Sequence, residues 1–107
     1  MDRYEKFKKT VNFKLLRIEI ETEYDALTDK TVIYATITLN KEYFDYEVAS
    51  KLTFNARFWK SSKFEYAGTY AVGYREVIDG RFPENNEEFD NFVKWLVNHF
   101  FEYAIKG

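Results

Sequence analysis

Side chains suited to catalysis are scarce in this sequence. Its 107 residues include one His, no Cys and eighteen Asp or Glu. His99 could act as a general base, but its place on the polar side of a predicted helix favours an ordinary surface histidine. Without Cys there is no thiolate nucleophile, disulfide or Cys-containing zinc site, and no spaced set of metal ligands is present. We therefore expect a protein that is not an enzyme and holds no metal or cofactor.

Gly68 and Gly73 have the outer spacing of a phosphate-binding loop. Tyr74 and Arg75 stand where that motif needs Lys and then Ser or Thr. The segment also alternates as a strand, with no helix directly behind it. We reject a phosphate loop at this position.

Three glutamates recur at every second position, as Glu19, Glu21 and Glu23. On a strand their carboxylates would project from one face about 6.6 Å apart, a spacing that suits a basic groove on a partner. The simpler interpretation is a solvated face or an edge protected by charge. We predict that these residues, the acidic strip, form the charged part of a protein-binding surface.

Aromatic residues are abundant, with 22 Phe, Tyr or Trp in the chain. Trp95, Phe101 and Ile105 are apolar but fall within the polar arc of the C-terminal helix. A contiguous exposed apolar patch of that kind indicates a protein partner. Cover by residues 2–9 is the competing explanation. The predicted protein-binding residues beside the acidic strip are Tyr34, Trp59, Trp95, Phe101 and Ile105.

Segment 57–64 supports an alternative function. It combines Arg57, Lys60 and Lys63 with aromatic residues that include Trp59, and it contains no acid. Rings that stack on bases beside cations that meet phosphates are the chemistry of single-stranded nucleic-acid binding. An ordinary hairpin end would give the same composition. A further alternative is an apolar ligand between sheet and helix, lined by Phe and Tyr.

Composition and charge describe the class of protein. The formal net charge is −2, so a basic footprint for nucleic acid over the whole domain is absent. The N-terminus has no signal-peptide pattern and no stretch approaches a membrane span. We expect one cytoplasmic domain over residues 1–107 that acts as a small inhibitor or adaptor encoded by a phage or other mobile element. The open sheet face would also allow a homodimer.

Hydrophobic periodicity predicts the elements that carry these side chains. Period-two alternation predicts strands over 13–24, 31–39 and 64–74, and residues 2–9 fit a short helix. Segment 40–52 fits both strand and helix spacing. For that segment we favour a turn at Asn40-Lys41 and then a strand that continues to residue 58.

The C-terminal helix has the strongest local signals. Asn85 and Glu88 form a variant of the capping box after Pro83. One apolar face at helical spacing comprises Phe89, Phe92, Val93, Leu96, Val97, Phe100, Tyr103 and Ala104. The predicted fold is α+β, with a four-stranded, mostly antiparallel meander, this long helix on one sheet face and the short N-terminal helix. The other sheet face is left open to solvent or to a partner.

Overall fold

In the described part of the chain, five strands are followed by one helix, which is an α+β arrangement, as predicted. The computed structural model of the chain describes residues 3–45, 47, 64–68 and 70–102. These residues contain five strands and one helix: β1 (Tyr4–Asn12), β2 (Leu16–Asp25), β3 (Lys30–Leu39), β4 (Phe64–Gly68), β5 (Ala71–Asp79) and α1 (Asn86–Phe100). The strands form one sheet in the order β1-β2-β3-β5-β4, and every neighbouring pair is antiparallel.

The predicted N-terminal helix is wrong. Residues 4–12 form β1, which pairs with β2 along its whole length, from Tyr4 opposite Asp25 to Asn12 opposite Arg17. A helix over 2–9 would have been too short to be stable alone, whereas the ladder to β2 satisfies the backbone along one side of the segment. Phe7 and Val11 still pack against the core, as members of one strand face.

The predicted fourth strand is two strands. The alternation from 64 to 74 continues through a reversal, so that β4 and β5 pair as a hairpin with Phe64 opposite Tyr74. Tyr70 lies at the reversal with φ of +61°. A register shift occurs between Tyr66 and Gly68, and a glycine within a strand often marks such a bulge. Because β5 lies between β3 and β4, the sheet is not the simple meander that we predicted.

Segment 40–52 is described only in part. Asn40 accepts hydrogen bonds from the backbone N–H groups of Tyr43 and Phe44 at 3.0 and 3.1 Å, which confirms the predicted turn. Phe44 is buried in the core. Residues 42–45 and 47, where the predicted strand would begin, are not in a strand. The rest of the predicted strand, up to residue 58, lies outside the described residues.

One face of the sheet, the covered face, holds the core. Alternate residues of three strands and four residues of α1 are buried together: Leu16, Ile18, Ile20, Ile33, Ala35, Ile37, Leu39, Val72, Tyr74, Phe89, Val93, Leu96 and Phe100. The Asn85 side chain accepts a hydrogen bond from the Glu88 N–H at 2.8 Å, so the predicted cap is confirmed. The apolar face of the helix is confirmed where it is described.

Two buried threonines interrupt this apolar face. Thr31 donates from Oγ1 to the Gly80 carbonyl at 2.7 Å and accepts from the Phe82 N–H at 3.1 Å, which ties β3 to the segment after β5. Thr22 is equally buried, but its Oγ1 has no hydrogen-bond partner among the described residues. The same residue type is thus a cross-link in one place and an unsatisfied polar group in the other.

Candidate interaction surfaces

The second sheet face, the open face, carries most of the predicted surface. Glu19, Glu21 and Glu23 point to this face from β2, opposite the buried Ile18 and Ile20. Tyr34 points to the same face from β3 and lies directly opposite Glu21. The structure therefore brings the acidic strip and Tyr34 together, as the period-two pattern predicted.

Exposed apolar side chains lie at the centre of the open face. Tyr34 is 42% exposed and Val77 on β5 is 46% exposed. Val32 lies between them, opposite Val77. The Arg75 guanidinium lies 5.9 Å from the centroid of the Tyr34 ring, within the range of a cation–π contact. This contact holds the ring on the sheet surface and leaves much of it accessible.

Basic side chains neutralise much of the acidic strip. Glu23 forms an ion pair with Lys6 of β1 at 3.3 Å, and Glu19 forms one with Arg17 at 3.0 Å. Glu21 lies opposite Lys8 in the register but has no ion pair among the described residues. The strip is thus a mixed-charge surface, and Glu21 is the carboxylate with the least local compensation.

Ion pairs border one end of the open face. Arg3 donates two hydrogen bonds to Asp25, at 2.9 and 3.1 Å, and these bonds are the main cause that lowers the pKa of Asp25 to about 2. The Leu27 N–H also donates to this carboxylate at 3.0 Å. Lys30 pairs with Asp79 at 2.6 Å, which lowers the pKa of Asp79. These pairs give the apolar centre a polar border.

The helix aromatics form a separate surface. Trp95 is 46% exposed and stacks between Phe92 and His99, with centroid distances of 5.7 and 4.4 Å. Burial lowers the pKa of His99, against a smaller opposing effect of Glu102. Because α1 packs on the covered face, Trp95 and Tyr34 lie on opposite sides of the molecule, so one partner surface cannot include both.

The remaining predicted residues divide into two groups. Phe101 is half-buried and its ring meets Phe13 edge to face at 5.1 Å, so its place outside the helix stripe is explained by core packing. Trp59 and Ile105 lie outside the described residues, as do Arg57, Lys60 and Lys63 of the nucleic-acid alternative. Single-stranded nucleic-acid binding through segment 57–64 stays a prediction.

A groove lies where β1 meets α1. It has a volume of about 300 Å³ and is lined by Val11, Val93 and Val97, with Lys9 and Lys94 among its polar residues. The predicted apolar pocket was to be lined by Phe and Tyr, and this groove has a different lining. Sequence reasoning missed it because β1 was assigned as a helix. The signal that could have found it is the period-two placement of Phe7, Lys9 and Val11.

Two other kinds of site are absent from the described residues. No group of three or more His, Asp or Glu is arranged to hold a metal ion in this part of the chain. No helix among these residues is long and apolar enough to cross a membrane. Comparisons with protein-family models, with curated proteins and with solved structures gave no match.

Proposed function

We propose that this chain is a non-enzymatic protein-binding domain whose partner packs on the open face around Tyr34. The observation that supports this proposal is the combination of an exposed apolar centre, formed by Tyr34, Val32 and Val77, with a border of ion pairs. Protein interfaces have this anatomy, in which an apolar centre lies within a polar rim. Tyr is also a residue that often dominates binding energy.

In this proposal the acidic strip orients the partner on the open face. Lys6 and Arg17 already pair with Glu23 and Glu19, so these two carboxylates contribute little net attraction. Glu21 adjoins Tyr34 across the β2–β3 ladder and is placed to meet a partner cation. Charges of this kind affect the association rate and the register of binding more than the final affinity.

The cellular role that fits this proposal is that of a small inhibitor or adaptor acting in the cytoplasm, encoded by a phage or mobile element. This part rests on the small size of the chain and on its lack of catalytic motifs. A homodimer through two open faces would use the same residues. Sedimentation of the purified chain distinguishes that arrangement from a heteromeric complex.

Site-specific photocrosslinking tests which surface meets the partner. A photoreactive phenylalanine replaces Tyr34 in one chain and Trp95 in another, because these side chains are similarly exposed on opposite sides. We expect a discrete crosslinked protein in cells from position 34 and none from position 95. Crosslinking from position 95 alone would overturn the proposal.

The captured partner then allows an affinity test. Glu21→Lys combined with Glu23→Lys should weaken binding at least ten-fold in titration calorimetry, mainly through slower association. The new lysines lie opposite Lys8 and Lys6 and lower the thermal unfolding midpoint, so binding is measured well below that midpoint. The charge-matched control is Glu42→Lys with Glu84→Lys, two exposed acids outside the sheet. Equal affinities of the two double variants would remove the acidic strip from the proposal.

A further inference from the structure

The outer edge of β1 has unpaired backbone groups in the part of the chain that the structure describes. β1 is the first strand in the sheet order, with β2 as its neighbour, and no strand in the described part of the chain lies on its other side. An exposed strand edge presents a row of N–H and C=O groups that can pair with another chain. β1 is nine residues long, which is enough for several such bonds.

The hydrogen bonds to β2 show which backbone groups point outward. Phe13 donates to the Leu16 carbonyl at 2.8 Å, and Ala26 donates to the Arg3 carbonyl at 2.9 Å. In an antiparallel ladder, hydrogen-bonded and non-hydrogen-bonded pairs alternate. Odd-numbered residues of this segment therefore bond to β2, and the backbone groups of Lys6, Lys8 and Thr10 face away from the sheet.

Side-chain chemistry differs on the two sides of this edge. On the covered side, Val11, Val93 and Val97 form the apolar part of the 300 Å³ groove, whose polar lining is Lys9, Asp90, Lys94 and Asn98. Lys9 and Asp90 form an ion pair at 3.3 Å between β1 and α1. On the open side, Lys6 and Lys8 stand beside the outward-facing backbone groups. Lys6 is paired with Glu23 at 3.3 Å, and Lys8 has no ion pair among the described residues. A strand added at this edge would place alternate side chains on the two sides, with apolar residues toward the groove and acidic residues toward the lysines.

The charges of β1 indicate whether a second copy of this chain or a strand of another protein pairs with its outer edge. Antiparallel pairing of two β1 strands about their middle would bring Lys8 of one copy against Lys8 of the other, and like charges directly opposite are destabilising. On the inner edge of β1, β2 has the pattern that complements these lysines, with acidic residues alternating with buried ones. Its Glu21 and Glu23 lie opposite Lys8 and Lys6, and its intervening residues are buried.

We infer that the outer edge of β1 binds an extended peptide segment of a protein partner, in which acidic and apolar residues alternate. The backbone of this peptide continues the sheet through Lys6, Lys8 and Thr10, in the manner of strand addition at a sheet edge. Its apolar side chains enter the groove between β1 and α1. Its acidic side chains meet Lys8, because Lys6 already forms an ion pair with Glu23. The same lysines discourage strands without acids.

A labelled peptide with the sequence of residues 16–25, LRIEIETEYD, is the probe, because its pattern is the one that β1 accepts on its inner edge. Fluorescence anisotropy should show saturable binding to the full chain. The same peptide with Lys in place of its three Glu should bind at least ten-fold more weakly. Equal binding of the two peptides, or no binding of the first at millimolar chain concentration, would overturn the inference.

Variants of the chain locate the binding site. Lys8→Glu should weaken binding of the acidic peptide at least ten-fold, and Val97→Glu should do so from the groove side. Lys41→Glu reverses the same charge at the turn after β3 and should change the affinity less than two-fold. If Lys41→Glu weakens binding as much as Lys8→Glu, the effect is one of net charge and the inference fails.

Amide exchange distinguishes strand addition from other contacts. In nitrogen-15 spectra of the full chain, saturating peptide should slow exchange of the Lys6, Lys8 and Thr10 amides at least ten-fold. Changes centred on Tyr34, or a concentration-dependent dimer held by β1, would contradict the inference. Tyr34→Ala should leave peptide affinity within two-fold, so this inference and the open-face proposal can fail independently.

Discussion

The two faces of the sheet are built from the same strands, yet they are under different physical demands. On β5, Val72 is fully buried on the covered face and Val77 is 46% exposed on the open face. On β2, Ile18 and Ile20 alternate with Glu19 and Glu21. Burial of apolar area stabilises the fold on one side, whereas the apolar centre of the other side contributes little to stability. In the proposed function, this apolar centre is the part of the open face that contacts the partner.

The largest expected difference between the two faces is in the free energy of unfolding, when Val is replaced by Ala at two positions of β5. Val72→Ala should lower the free energy of unfolding by about 2–3 kcal/mol, because it removes buried methyl groups and leaves a cavity. Val77→Ala should change it by about 0.5 kcal/mol or less, as at other exposed sites. Urea unfolding followed by circular dichroism measures both. Similar losses for the two variants would mean that the open face is covered in solution.

An intermediate effect is expected from the two buried threonines of the covered face. Thr31→Val should destabilise the chain by about 1–3 kcal/mol, because the Gly80 carbonyl and the Phe82 N–H lose their partner. Thr22→Val should be neutral or stabilising by up to about 1 kcal/mol, since its hydroxyl is buried without a partner in the described residues. Thermal unfolding of the two variants gives the comparison. Equal destabilisation would show that the Thr22 hydroxyl is also satisfied.

The smallest expected effect is the pH dependence of folding stability that comes from the Arg3–Asp25 pair at the border of the open face. Asp25 has a pKa of about 2, below its ordinary value of 3.8, because Arg3 donates to it. A lowered pKa in the folded state means that the Arg3–Asp25 pair stabilises the fold above pH 3.8 and loses this contribution as the pH falls toward 2. The stability difference between the wild type and Asp25→Asn should therefore shrink between pH 6 and pH 2. A carboxyl titration midpoint near 3.8 in the folded chain would contradict this.

Local signals were enough to predict the helix and the middle of the sheet. The cap at Asn85 and the apolar spacing that follows it lie within the helix itself, so sequence alone contains them. The alternation in β2 and β3 likewise assigns Tyr34 and Glu21 to one face. These are the parts of the candidate site that could be predicted before the structure.

The structure of β1 and the reversal at Tyr70 depend on pairing between strands, which local sequence does not contain. Residues 4–12 are rich in Lys and fit a helical spacing, but β2 supplies a ladder that outweighs local preference, as is common for strands. Period-two alternation also continues across a reversal, so it could not show that the chain turns at Tyr70. The groove beside β1 depends on the first of these outcomes, since it requires β1 to be an edge strand next to α1.

The position of β5 has a consequence for the order in which the chain folds. β1, β2 and β3 are joined by short connections, so their contacts are close in sequence. β5 pairs with β3 across a long interval, and the bond between Lys30 and Asp79 spans 49 residues. Closing such a loop costs entropy before the new contacts form, and distant pairings slow folding. Formation of the three-stranded meander should thus precede the rate-limiting docking of β5 and α1, which complete the core.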